Sequence, residues 1–313
     1  MFTNTLSFPT DFSLGRLYIE DEYVQELYLG EAKGIVQIPK NKRVTFKIKT
    51  DTKIDLSCFR TFNPEVFNSI SLASSQVEDD QLQYLSHLTG LKSLHLEHTD
   101  LTGWGFIYLK ELSCLENLTL WWTKANDLSF VHIGGLSSLK ALTLSCTHIS
   151  DDGLSHLQHL SNLVDIDLWG TKVGDRGLQY LAHLPSLVVL GLADTRITDT
   201  GLSKLKKLQS LKSLNLAQTD ISDHGLETLS ALTNLEILDL SETQVTDRSL
   251  SLLANLKNLR RLDLRQTQIS DNSISSLASL KQLNNLNISE TNVTKNGRDL
   301  LMSTTELQDL IYA

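Results

Sequence analysis

The chain has 313 residues, with 28 Lys and Arg against 37 Asp and Glu, a formal charge of −9 and 41% hydrophobic residues. That is the make-up of a water-soluble globular protein, and its acidic balance lacks the positive surface with which a general nucleic-acid binder displaces phosphate counterions. No apolar run approaches the ~20 residues that a membrane-spanning helix needs, so neither nucleic acid nor membrane is expected as a partner.

The chain opens on a polar stretch, with Pro9 and Asp11 where a secretory signal has a basic start and an apolar run. Cys58, Cys114 and Cys146 are sparse, odd in number and free of CxxC spacing, which suggests neither a disulfide framework nor a thiolate zinc site. A cytoplasmic, reducing location is the expectation, and export without a cleaved signal is compatible with it. Strands are predicted over Arg16 to Glu20, Tyr23 to Leu29 and Arg43 to Lys49, with a turn region at Gly34 and Pro39 between. Residues 1–62 carry no repeat and are predicted to form a β-rich N-terminal cap over an open sheet edge.

From residue 63 onward the chain repeats itself every 24 residues. Leu94, Leu118, Leu142, Ile166, Leu190, Leu214, Leu238, Leu262, Leu286 and Leu310 keep that spacing without an insertion, and Ile70 extends the series backwards. Thr99, Thr123, Thr147, Thr171, Thr195, Thr219, Thr243, Thr267 and Thr291 hold the same register, with Ser75 before them. In each unit the alternation around a pair such as Leu142 and Leu144 marks a short half-buried strand. Leu154, Leu157 and Leu160, spaced by three, then suit one or two helical turns. One such coil cannot bury its leucines, so only stacking makes a continuous core. The threonines are expected to bond backbone groups at the turn, and Asp151, Asp175, Asp199, Asp223, Asp247 and Asp271 to cap local turn donors. Capping accounts for these aspartates better than stacked calcium sites, for which each coil has too few oxygens.

The LxxLxxLxLxxT unit, followed by (S/T)DxGL, resembles the leucine-rich-repeat family, in particular its bacterial 24-residue type with Thr in the turn. The resemblance covers about residues 63–313 and implies an α/β solenoid: a horseshoe with a parallel concave β-sheet, short convex helices and the N-terminal cap. It also implies a protein-binding scaffold, with the ligand set by the variable positions. Leu307, Leu310 and Tyr312 match a last strand over 307–313, whose edge meets either solvent or a second copy in a homodimer.

Residues flanking the buried leucines of each strand are expected on the concave face. Three of the chain's four tryptophans, Trp121, Trp122 and Trp169, fall in those variable columns. Tryptophan is costly to leave in water and is enriched among residues that carry binding energy. Together with His95, Glu97, His98, His148 and Asp167 they form the expected site for a protein partner of unknown identity. The competing expectation is that the cap covers them, or that they pack on one another. Asp239, Glu242, Asp263 and Glu290, interleaved with Arg260, Arg261 and Arg265, read as a solvated mixed surface. On the convex side Tyr84, Tyr108, His132, His156, Tyr180 and Lys204 form a column expected to pack at the margin of the core.

His95, Glu97, His98, Cys146 and His148 include metal-ligand types, but a gap of two coils is ~10 Å and zinc ligands must lie ~2.3 Å from one ion. No metal or cofactor is expected. No Gly-rich phosphate loop, GxSxG elbow or HExxH occurs, so no enzyme is expected. The sequons at Asn117, Asn287 and Asn292 read as chance in a Ser- and Thr-rich repeat. Two alternatives stand beside the scaffold reading: a secreted bacterial effector or substrate-recruitment subunit, and a self-associating structural protein.

Overall fold

A repeat of constant length sets equivalent backbone groups beside one another, so each short strand pairs with the same strand of the next coil. The structure, a computed structural model, describes residues 2–20, 25–50 and 54–312. It forms two compact units, Met1–Ile149 and Ser150–Ala313.

The first unit begins with β1 (Phe2–Ser7), β2 (Gly15–Glu20), β3 (Glu26–Glu31), β4 (Ile35–Pro39) and β5 (Val44–Ile48). β1 and β4 form an antiparallel ribbon, and β2 lies antiparallel between β3 and β5. Where a turn region was expected around Gly34 and Pro39 there is therefore a strand. Gly34, at φ 60°, makes the turn that starts it, and Pro39 stands at its end, where the lack of an N–H costs no interior pairing. The start of the run predicted from Tyr23, at Tyr23 and Val24, lies outside the described residues. β6 (Phe67–Ser71) pairs parallel with β5 and begins the repeats, continued by β7 (Ser93–His95), β8 (Asn117–Thr119) and β9 (Ala141–Thr143). A cluster of Phe8, Phe46, Phe59, Phe62 and Phe67, with ring centroids 5.1–6.5 Å apart, joins the antiparallel strands to the first coil.

The second unit stacks β10 (Asp165–Asp167), β11 (Val189–Gly191), β12 (Ser213–Asn215), β13 (Ile237–Asp239), β14 (Arg261–Asp263), β15 (Asn285–Asn287) and β16 (Asp309–Ile311) as a parallel sheet in sequence order. The register is constant: Leu190 faces Leu214, which faces Leu238, Leu262, Leu286 and Leu310 in turn. Among these, Leu214 and Leu238 are fully buried. The last strand is shorter than the predicted 307–313, and Ala313 lies outside the described residues. Each coil returns through a short α or 3₁₀ segment, such as Asp175–Leu181 or Leu250–Asn255. Each unit is thus an α/β solenoid of strand, turn and short helix.

The threonines behave alike in both units. Each hydroxyl donates to the carbonyl three residues earlier, as Thr123 does to Leu120 at 2.8 Å and Thr195 to Leu192 at 2.5 Å. The aspartates act differently from expectation. Asp175 is the first residue of its helix, and the cap of the Asp199–Leu202 helix is Thr198, which accepts from the N–H of Thr200. The Asp175 carboxylate reaches across to the next coil instead, accepting the N–H of Thr198 at 2.8 Å and its hydroxyl at 2.7 Å. Asp199 does the same to Ser222, and Asp223 to Thr246. Gly177, Gly201 and Gly225 each receive the carboxylate of the coil before: a Cβ on Gly201 would stand 2.3 Å from Oδ1 of Asp175. Where serine replaces that glycine, as at Ser249, its hydroxyl donates to the carboxylate of Asp223 at 2.5 Å.

Candidate binding site

After each strand the chain must turn sharply, and it does so through one residue in the left-handed region. In the first unit these are Ser74, His98, Trp122 and Cys146, with φ of 54–55°. A side chain with a Cβ is disfavoured there by roughly 1–2 kcal/mol, and asparagine or glycine tolerates it best. The turn aims these side chains outward, and Trp122 is 60% exposed.

Around that turn His98, Trp121 and Trp122 pack on one another. The two indoles lie 16° from parallel with centroids 6.1 Å apart, and the His98 ring stands 4.5 Å from Trp121 and 5.4 Å from Trp122. The tryptophans therefore pack on one another, and Trp122 keeps an open face. Trp121 is half-buried, and its Nε1 has no hydrogen-bond partner among the described residues. Oε2 of Glu97, one coil earlier, is likewise buried without one among the described residues. His95 sits lower on β7, its Nδ1 3.4 Å from the Thr119 hydroxyl. His148 stands apart from this group: it lies beyond the Cys146 turn, where its N–H donates to Ala125 and it bridges to Asn126. The site thus brings together His95, Glu97, His98, Trp121 and Trp122.

Asp167 and Trp169 belong to the second unit. Oδ1 of Asp167 accepts the N–H of Trp169 at 3.1 Å, and Trp169 is 40% exposed. Asn215, Asp239, Asp263 and Asn287 repeat that contact, each accepting an N–H two residues on. Within the mixed surface, Asp239 and Asp263 are thus local turn acceptors, whereas Glu242 and Glu290 pair with Arg265. Asp165, pushed by its own burial and then by the charge of Asp167, has a raised pKa. Burial pushes Asp223 and Asp247 the same way, but hydrogen bonds from Ser249 and Thr246 to Asp223, and from Ser270 and Ser273 to Asp247, outweigh it and lower both. Among the described residues no three His, Cys, Asp or Glu side chains converge as a metal site, and no helix is long and apolar enough to cross a membrane.

Two family models, both described as leucine-rich repeats, match the chain, one over residues 185–245 and the other over 135–157 and 255–278. The chain is a leucine-rich-repeat protein. Its solenoid is similar to an internalin (inlF) from Listeria monocytogenes str. 4b F2365, at 20% identity over 86% of each chain with a TM-score of 0.64. It is also similar to a chain of the mouse RP105/MD-1 complex, at 20% identity and a TM-score of 0.56, covering 74% of this chain and 39% of that one. An internalin C2 from the same Listeria strain matches at 25% identity over 77% of this chain and 84% of that one, with a TM-score of 0.45. No curated protein matches the sequence.

The repeat frame exposes a feature that strand-face columns miss. Trp104 and Leu128 stand at the x of the DxG triplet, where the other coils carry Asp80, Asp152, Arg176, Thr200, His224, Arg248 and Asn272. Three residues on, Ile107 and Val131 stand where later leucine-rich repeats have Ser155, Gln179, Ser203 and Glu227. Trp104 is 75% exposed and Leu128 71%, with Ile107, Tyr108 and Val131 exposed beside them. The signal was available as an apolar interruption of a polar column. Of the helix-side column expected at the margin of the core, Tyr84, His132 and Tyr180 are half-buried while Tyr108, His156 and Lys204 are exposed, and Tyr84 lies under Arg60 at 4.5 Å.

Proposed function

We propose that this leucine-rich-repeat protein is a non-catalytic scaffold that binds a protein partner on the strand face of its first unit, at His98, Trp121 and Trp122 with Glu97 and His95. One observation carries the reading. Trp122 is held outward by the left-handed turn that recurs in every coil, and it keeps most of its indole in water. Exposed indoles on a rigid platform supply large contact area at low entropic cost. The mouse structure of the same fold is a complex of two proteins, which supports the class of role and says nothing of the partner. Asp167 and Trp169 lie on the strand face of the second unit. The three free cysteines support a reducing compartment as the place of action.

Affinity capture from lysate of the source cells tests this, with wild type beside a Trp121→Ala, Trp122→Ala variant of matched stability. A protein retained by the wild type and lost by the variant is the expected result. Identical captures would refute the strand-face site.

A second contact face has its own observation in Trp104, Ile107, Leu128 and Val131. Contiguous exposed apolar side chains of this size mark interaction surfaces. A Trp104→Arg, Leu128→Asp variant would then lose a different captured protein, and retention of every protein by that variant argues against the face.

A further inference from the structure

One leucine column of the repeat breaks where the second unit has a cavity. From Leu88 to Leu280 a leucine recurs every 24 residues, nine in all, and the tenth place in the column is Thr304. Each of the nine leucines is buried. Each also closes its helical segment by donating its N–H to the carbonyl three residues earlier, as Leu256 does to Leu253 at 2.8 Å and Leu280 to Leu277 at 3.1 Å. In the tenth place the helix Lys295–Thr304 runs on instead of closing. Thr304 is exposed, and its hydroxyl donates back to the carbonyls of Leu300 and Leu301 at 2.9 and 3.2 Å.

The space that a leucine would take stays open. A cavity of about 230 Å³ lies there, with Leu280, Leu283 and Leu307 in its lining and Lys281, Thr304 and Glu306 exposed around it. Water reaches its floor: Leu280 and Leu283 are each 5% exposed, whereas Leu256 and Leu259, their equivalents one coil earlier, are fully buried. Leu307 is half-buried. Leucine surface beside an open cavity lacks the packing contacts that a tenth leucine would supply.

The missing residue defines what fits. Each of the other nine coils puts a branched aliphatic group in this place, and a cavity of about 150 Å³ lined by such side chains already accepts a benzene-sized molecule. A volume of about 230 Å³ therefore admits one leucine side chain. The rim separates such a side chain from a free hydrocarbon. Lys281, Thr304 and Glu306 supply donors and acceptors at the mouth, which suit the peptide groups on either side of an inserted residue.

We propose that the cavity between Leu280, Leu283 and Leu307 seats a leucine side chain of a protein partner, in the place that Thr304 leaves empty. The seat lies within the second unit and is independent of the strand-face reading, so either can fail alone.

The test uses the full chain with ¹³C-labelled leucine methyl groups and two peptides, Ac-Gly-Gly-Leu-Gly-Gly-NH₂ and Ac-Gly-Gly-Ala-Gly-Gly-NH₂, at millimolar concentration. The methyl signals are assigned through Leu280→Met, Leu283→Met and Leu307→Met. The leucine peptide is expected to move all three sets and to bind about tenfold more tightly than the alanine peptide. Thr304→Leu restores the column and should abolish that preference, whereas Thr304→Val, which keeps the shape of threonine and drops its hydroxyl, should retain it. Leu307→Phe crowds the cavity from another wall and should abolish it too. Equal binding of the two peptides, or signals that neither peptide moves, overturns the seat. A preference that survives both Thr304→Leu and Leu307→Phe also overturns it, by placing the binding elsewhere. Signals moved by isobutanol and by neither peptide overturn it in favour of a small apolar molecule.

Discussion

The carboxylate of Asp175 accepts both the N–H and the hydroxyl of Thr198, 23 residues further on, at 2.8 and 2.7 Å. Through this contact and its equivalents each coil caps the next, and the glycine of the following triplet clears the space. Gly201→Ala would drive a Cβ to 2.3 Å from Oδ1 of Asp175. An overpacking cost of about 1–3 kcal/mol is expected. In an Asp175→Ala background, which removes the carboxylate, that cost should fall by about 1 kcal/mol or more. Urea unfolding of the four-member cycle measures it, and additive effects would show that the carboxylate does not dictate the glycine.

The same carboxylates make stability sensitive to acid. Asp223 and Asp247 have lowered pKa values in the folded chain, because hydrogen bonds to the charged form outweigh burial. Their contribution is complete above the unfolded carboxylate pKa of about 4 and is lost as pH falls through the lower folded values. Asp165 has the opposite sign: its raised pKa costs stability at neutral pH, and that cost is relieved on acidification. The unfolding midpoint should fall below about pH 4 in wild type and fall less steeply in Asp223→Asn. Asp165→Asn should raise the midpoint at neutral pH. An unchanged acid profile in Asp223→Asn would remove that carboxylate from the account.

Thiol reactivity separates the cysteines. Burial, reinforced by Asp55, pushes the Cys58 thiol up to about 11, whereas Cys114 is exposed. At about pH 8 only about one Cys58 in a thousand is thiolate. Ellman's reagent should therefore modify Cys114 rapidly and Cys58 slowly, and Cys114→Ser should delete a fast phase. A fast phase at Cys58 would contradict its burial.

The leucine and threonine columns were legible because burial and a single turn geometry recur every 24 residues. Much of the site was legible too, since an indole in a variable strand column stands out against serine and alanine. The coil-to-coil role of Asp175 was not, because an acid at a helix start fits capping its own turn equally well in sequence. The ribbon strand Ile35–Pro39 was hidden by turn residues at both of its ends. The left-handed turn at Trp122 left one trace, Gly170 in the same column, yet the other members, Cys146 and Asp194 among them, carry side chains. The unpaired atoms of Glu97 and Trp121 depend on side-chain placement, which no pattern of residue types encodes.

Trp122 offers a test in which stability and binding move apart. Replacing it with glycine relieves the left-handed strain at φ 55°, so the unfolding midpoint should hold steady or rise. A merely structural indole would lower it, through the lost packing on Trp121 and His98.

The central claim is best tested by measuring the affinity of the captured partner for wild type and for Trp122→Gly by titration calorimetry. A binding anchor is worth about 2 kcal/mol or more, which predicts a loss of roughly 30-fold or greater with the fold intact. Equal affinities for the two chains would contradict the claim that this face binds the partner through Trp122.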